Sequence, residues 1–386
     1  MKKWVYGAAL LALGIPGSLF AASEPLLYTG WLPSWAKESG ALEVLTNIDK
    51  LDGVSPFSYD VQKNGTLKDV LELQKNFWPS WLSVLKGAQI KIIPTVALFN
   101  SERMYALLSN TKKRRAHEDL IAHFIIAKGF DGVDIDYENI SPKTQPFFSL
   151  FLQGLSLRLK PHNKIISCTI ESRPILSLLY ADPLEQPREV TDYTALNRYC
   201  NEVRIMAYDQ STIDDSLNTE KGNGNLYAPV ADPLWVEKIV QEALKNIDKK
   251  KIVLGIPTYG YEYRVSWNNG TTTYRRLRAL TYESAIRVAR ELGQVPTRNN
   301  AGELSFVYAS STTREVSSGL RFNVSSSLPG ILALQGNVPA VHFTSFNDAE
   351  SVAQKIALAK KYSLRGAALF KLDGKSDPQI WERIGL

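Results

Sequence analysis

Two periodicities alternate along this chain. Short runs rich in Val, Ile, Tyr and Phe, with neighbouring positions differing in character, sit between longer stretches where apolar residues return every three or four positions. The short runs predict strands at 26–32 (LLYTGWL), 51–59, 90–99, 132–138, 164–170, 203–208, 251–257 and 366–372. The longer ones predict helices at 114–128, 145–159, 233–245, 349–362 and 377–384. Strands interleaved with helices imply a parallel sheet of the α/β class, and a count of eight strands favours closure into a (β/α)8 TIM barrel. The rhythm breaks at 261–341, where Thr, Ser, Tyr and Asn accumulate around one helical run and several short strands. This stretch reads as a small α+β insertion between strand seven and its helix. The barrel then comprises 24–260 and 342–386, roughly 280 residues, a natural size for that fold.

The first residues carry a different pattern. A basic head, Met1-Lys2-Lys3, precedes an apolar run to Phe20 that is interrupted by Pro16, with Ala21 and Ala22 behind it. This is the build of a secretory signal peptide over 1–21, and it predicts an exported protein with no stable membrane span after cleavage. Loss of Lys2 and Lys3 lowers the formal charge from +6 to +4. The charge is dispersed, and its densest cluster, TKKRR at 111–115, shares a helix with Glu118 and Asp119, so no nucleic-acid-binding stripe is expected. Cys168 and Cys200 can form one disulfide or remain two buried thiols. His117, His123, His162 and His342 have no metal-ligand spacing, and no cofactor or metal site is expected.

One strand is anomalous. DGVDIDYENI, at 131–140, places four acidic residues among strand-forming apolar ones. Side chains alternate faces along a strand, so Asp134, Asp136 and Glu138 share one face and Val133, Ile135 and Tyr137 the other. In a barrel the apolar set suits the helix layer. The carboxylates then climb the interior and end with Glu138 at the C-terminal mouth, where barrel enzymes keep their active sites. Carboxylates about 7 Å apart in a low-dielectric interior cannot all ionise cheaply. Sharing protons, they can hold the outermost member protonated near neutral pH, which is what a general acid requires. A solvated acidic face and a cation site built on Asp134 and Asp136 are the competing readings.

Asp131, Asp134, Asp136 and Glu138 reproduce D-x-x-D-x-D-x-E, and the chain resembles glycoside hydrolase family 18, the chitinase-like (β/α)8 barrels. MAYD, from Met206 to Asp209, is similar to that family's M-x-Y-D on strand six. GIPTYGYEY on strand seven, followed by an insertion, is similar to its insertion-bearing members. The resemblance implies a retaining glycosidase acting next to N-acetylglucosamine, with no enzyme nucleophile. Glu138 would protonate the glycosidic oxygen, and the substrate's acetamido oxygen would attack. Asp136 would bind the acetamido N–H, Asp134 would tune Asp136 from below, Tyr208 would bind the acetamido oxygen and Asp209 the distorted sugar, beside Met206. Asp131, on the other face, would be structural.

Three features depart from the pattern. S-x-G-G on strand three is replaced by PTVALFN at 94–100. The strand-eight Trp becomes Phe370. SPFSY at 55–59 and the Glu138-Asn139 pair look more like members acting on peptidoglycan or spore cortex. Chitin or chitin-like oligosaccharides are the first expected substrate and peptidoglycan the second, taken by a monomer. A catalytically silent glycan-binding protein on the same barrel is the rival from another class, opposed by the presence of Glu138. Trp31, Trp35, Phe57, Tyr259 and Phe370 stand at strand ends as sugar platforms or core residues, with Trp31 and Phe370 favoured by position. Glu171 and Arg173 after strand five are placed to bind substrate or to pair with each other.

Overall fold

The computed structural model describes residues 25–172, 191–222, 224–268, 271–310, 321–323 and 340–384; the leader and Arg173 lie outside the described residues. Eight parallel strands form the barrel: β1 (Leu27–Leu32), β2 (Gly53–Val61), β3 (Thr95–Leu98), β4 (Gly132–Tyr137), β5 (Ile165–Glu171), β6 (Glu202–Met206), β7 (Ile252–Pro257) and β8 (Gly366–Phe370). Each pairs with its sequence neighbours, and β1 pairs with both β2 and β8, which closes the ring. The sixth strand stops at Met206, two residues short of the predicted end, so Tyr208 and Asp209 stand on the loop above it.

Local chemistry sets the helix boundaries. Asn110 caps Thr111–Lys128 by accepting from the Lys113 N–H at 3.0 Å, and Gly129 ends it at φ +65°, a conformation open to glycine. Asp232 caps Pro233–Ala243, with proline at the first helical position where no N–H is needed. Asp348 and Ser351 form a reciprocal capping box on Ala349–Lys361. These helices bury their apolar stripes against outward-facing barrel residues such as Val133 and Ile135, both 0 % exposed. Among the described residues no helix is long and apolar enough to cross a membrane.

Cys168 on β5 is bonded to Cys200, just after the helix Tyr193–Tyr199. The bond closes a separation of 32 residues, which restricts the unfolded chain by about 3–4 kcal/mol.

A second, antiparallel sheet leaves the barrel directly after β7. Its strands are Tyr259–Asn268, Thr271–Thr281, Thr297–Arg298, Leu304–Ser310, Arg321–Asn323 and Ala340–Phe346, with the helix Tyr282–Glu291 packed on one face. Alternation along Tyr259–Asn268 sends Tyr259, Tyr261, Tyr263 and Val265 into the same apolar core as the barrel. Glu262 points the other way. It is fully buried and accepts from Tyr308 Oη at 2.6 Å, His342 Nδ1 at 2.8 Å and Arg278 Nε at 2.7 Å.

Candidate active site

All six residues of β4 are buried. That removes the competing reading of a solvated acidic face. Asp134 is 0 % exposed at the centre of the barrel, and donors from three other strands, the two beside it and β1 across the barrel, converge on it. Trp31 Nε1 and Thr95 Oγ1 donate to one oxygen at 2.9 and 3.0 Å; Ser167 Oγ and Thr169 Oγ1 donate to the other, each at 2.8 Å. Those four bonds occupy the lone-pair positions of the carboxylate, leaving none for a cation. Asp134 is therefore an anchor that ties β1, β3 and β5 to β4.

Asp136, one layer up, is 3 % exposed and its Oδ1 has no hydrogen-bond partner. Burial, with the negative charges of Glu138, Asp134 and Glu171 around it, pushes its carboxyl well above the ordinary range. Glu138 follows, half-buried at the mouth, its backbone N–H still on the ladder to the Leu98 carbonyl at 3.1 Å. Burial raises its pKa to about 7, with further contributions from Glu171 and Asp209. A carboxyl that keeps its proton to that pH can act as an acid in neutral solution.

Tyr208 stacks on Phe370 with ring centroids 5.3 Å apart and planes at 12°. Its ring has room because β7 carries Gly255: a Cβ there would lie 3.2 Å from the Tyr208 ring and 2.6 Å from the Ile205 carbonyl. Tyr259 meets both Tyr208 and Phe370 edge-on, and Trp31 meets Phe370 edge-on at 6.0 Å. Of these four rings only Phe370 is partly exposed, so it forms the open floor.

Trp31 is 2 % exposed, with its N–H on Asp134 and the Arg204 guanidinium 5.4 Å from its ring centroid. Its N–H ties β1 to the Asp134 strand, and its ring packs among other side chains below the mouth. Tyr259 is likewise 4 % exposed, and its hydroxyl is spent on Asp209. Asp209 sits exposed on the loop at φ +64°, accepting from Tyr259 and from Tyr261 Oη at 2.7 Å. The first residues of the insertion thus aim a carboxylate into the mouth. Met206 ends β6 half-buried, opposite Glu171.

Two aromatic shelves stand on the rim. Phe57 of β2 stacks with Phe99 at 6.1 Å and 27°, and Phe99 is 46 % exposed. Trp35, 65 % exposed, lies under the Lys371 ammonium. Phe99 escaped the sequence reading although it ends the third predicted strand, 90–99, and stands just past β3. Thr95, Ser167 and Thr169 escaped it too; small polar residues in the inward register of buried strands were their signal. Asp131 lies below the site, accepting from the Ile92 N–H at 2.9 Å and pairing with Lys91.

The model of the family described as glycosyl hydrolases family 18 matches residues 74–375. Glycosylase YvbX of Bacillus subtilis is 23 % identical over 398 residues, covering 100 % of this chain and 98 % of that protein. The crystal structure of the Bacillus megaterium spore cortex-lytic enzyme SleL superposes with TM-score 0.68 at 21 % identity, over 93 % of this chain and 73 % of that one. That of a chitinase from Chromobacterium violaceum gives TM-score 0.68 at 20 % identity, over 93 % and 98 %. At these identities the solved structures speak for the fold.

Proposed function

The chain belongs to the glycosyl hydrolases family 18, and from that premise we propose that this glycosidase is retaining and substrate-assisted, cleaving β-1,4 bonds next to N-acetylglucosamine. The observation that carries the reading is Glu138, half-buried at the mouth where burial raises its pKa to about 7, one layer above a buried Asp136 oxygen with no hydrogen-bond partner. Glu138 gives its proton to the glycosidic oxygen while the C1–O bond breaks. The acetamido carbonyl oxygen of the same sugar bonds to C1 from the face opposite the leaving group, closing an oxazolinium ring. The N–H of that acetamide needs an acceptor as positive charge develops, and Asp136 Oδ1 is an acceptor without a donor. Tyr208 supplies a hydroxyl for the acetamido oxygen, and Asp209 a carboxylate for a ring hydroxyl. Water then attacks C1 from the face the leaving group left, giving a proton to Glu138, while the C1 bond to the acetamido oxygen breaks and restores the acetamide, and configuration is retained.

Chitin-like oligosaccharides are the first substrate of this reading and peptidoglycan the second. The second draws support from relatives named cortical fragment-lytic enzyme, 23 % identical in Bacillus subtilis over 84 % of this chain, and from the likeness to SleL. Export of the protein belongs to the same proposal. Its supports are the leader pattern at 1–21 and the Cys168–Cys200 bond, which suits an oxidising compartment.

The test is a product time course on soluble N-acetylglucosamine oligomers, with EDTA present, for wild type and Glu138→Gln. Wild type is expected to cut. Glu138→Gln should bind the oligomers and lose about 10²–10⁴-fold in turnover, because an amide has no proton to give. Oligomers of unsubstituted glucosamine should remain intact. Their clean cleavage would overturn the substrate-assisted scheme, and binding without cleavage of either polymer by wild type would favour the silent glycan-binding protein.

A further inference from the structure

Beside the acid stands a second carboxylate that the scheme above leaves idle. β4 and β5 run parallel in register, Asp134 against Ser167 and Asp136 against Thr169. Two residues further on, the same register brings Glu138 level with Glu171. The faces agree as well. Ser167 and Thr169 point inward, since both donate to Asp134, and Glu171, two positions beyond Thr169, keeps that direction. The two glutamates therefore rise side by side from adjacent strands, which lie about 4.8 Å apart.

A hydrogen bond makes the pairing specific. Glu171 Oε2 accepts the backbone N–H of Asn139, the residue after the acid, at 3.1 Å. Asn139 is left-handed at φ +60°, and its side-chain amide donates to the Phe99 carbonyl at 3.3 Å. That turn takes the chain off β4 and fixes the direction in which Glu138 leaves the strand. Glu171 holds the β5 side of the turn, and Phe99, after β3, holds the other.

We infer that Glu171 is a positioning residue for the general acid: it pins the Asn139 turn that aims Glu138, and its negative charge keeps the proton on Glu138. The inference rests on the reading of Glu138 as the acid. The groups facing Glu138 are Asp136 on its own strand, Glu171 on β5, and Tyr208 and Asp209 on the loop after β6; the β3 side presents Leu98 and Phe99, which do not titrate. Burial is the largest contribution to the raised acid and Glu171 is the largest charge. Glu171 itself is exposed, so its field is partly screened and salt-sensitive.

Two substitutions separate the two tasks. Glu171→Gln keeps an oxygen for Asn139 and removes the charge. Glu171→Ala removes both. The glutamate side-chain carboxyl carbons are titrated by NMR, with the Glu138 signal assigned from its disappearance in Glu138→Gln. In Glu171→Gln the Glu138 midpoint is expected to fall by about half a unit to one unit. The difference should shrink at about 1 M salt. The alkaline limb of kcat on N-acetylglucosamine oligomers should move down by the same amount. At about pH 5, where the acid holds its proton in every form, Glu171→Ala should lose severalfold more kcat than Glu171→Gln. A Glu138 midpoint unchanged to within about 0.2 unit, or equal losses of kcat in the two variants, would overturn the inference. If no form cleaves the oligomers, the functional reading falls, while the Glu138 midpoint still decides the role of Glu171.

Discussion

Asp134 shows how a charged residue in a barrel interior can be a structural element in its own right. Its four donors come from three other strands, and one of them, the indole N–H of Trp31, can neither rotate away nor accept. Truncation to alanine leaves that N–H buried without a partner, a loss of about 2–4 kcal/mol. Asparagine should be gentler. Its oxygen can face Trp31 and Thr95 while the Ser167 and Thr169 hydroxyls turn to accept from its amide. Urea denaturation should therefore order the stabilities wild type, then Asp134→Asn, then Asp134→Ala. A midpoint for Asp134→Ala equal to that of wild type would show that the anchor carries no weight. Trp31 also marks a limit of sequence reasoning. Its place near the end of a strand was legible, but depth in a barrel depends on strand tilt and on the layer a residue joins. Trp31 joins the layer of Asp134, below the mouth. Glu171 was named from sequence as substrate-binding or paired; its service to Asn139 needed the register between two strands, which no local pattern encodes.

At the scale of the element, the outward face of β4 matters as much as the inward one. Tyr137 lies between Asp136 and Glu138 in sequence and points into the helix layer, 2 % exposed. Its hydroxyl meets His117 Nε2 at 2.6 Å, and His117 Nδ1 meets the Gly65 carbonyl at 2.9 Å. A carbonyl only accepts, so Nδ1 carries a proton; burial disfavours a second one, and in the neutral ring Nε2 accepts from the tyrosine hydroxyl. The rings of Tyr137, His117 and Phe151 stack within 27° of one another. Burial pulls the His117 pKa from 6.5 down to about 4. The sign follows. Above about 6.5 neither state binds the proton and the contribution is complete; as pH falls from 6.5 towards 4, the unfolded chain takes up a proton that the fold refuses. Stability is lost over that window, by about 3 kcal/mol. His117→Gln should show a shallower decline between those pH values in urea titrations, and parallel curves would refute the assignment. The alternation that set Tyr137 against Asp136 was legible in DGVDIDYENI. Its bond to a histidine 20 residues upstream, on the helix predicted over 114–128, was not.

For the whole molecule, the question is whether barrel and insertion are one folding unit. The composition shift near 261 revealed the insertion, but it gave no sign of how the sheet seats itself. The seat is a shared core and a buried carboxylate. Tyr261, Tyr263, Val307 and Phe343 of the insertion pack in the same apolar cluster as Leu226, Val230 and Trp235 of the barrel. Glu303, fully buried, reaches from the insertion to the segment 224–232, accepting the backbone N–H groups of Val230 at 3.0 Å and Ala231 at 2.8 Å, and the Ser345 hydroxyl at 2.5 Å. The Val230 and Pro229 carbonyls in turn accept the N–H groups of Gln210 and Ser211, next to Asp209, at 3.0 and 2.9 Å. The loop that carries Asp209 is thereby held directly by Tyr259 and Tyr261 and, through the Val230 segment, by Glu303. Such a join predicts a single cooperative transition, with far-ultraviolet dichroism and tyrosine fluorescence following one curve in urea. Glu303→Ala strands two buried N–H groups and should lower the stability of the whole chain by about 2–5 kcal/mol while keeping the curves coincident. Two separated transitions in wild type would mean that the insertion folds by itself. The aim of Asp209 would then be a property of the docked state, and activity would vanish at the first transition with the barrel still intact.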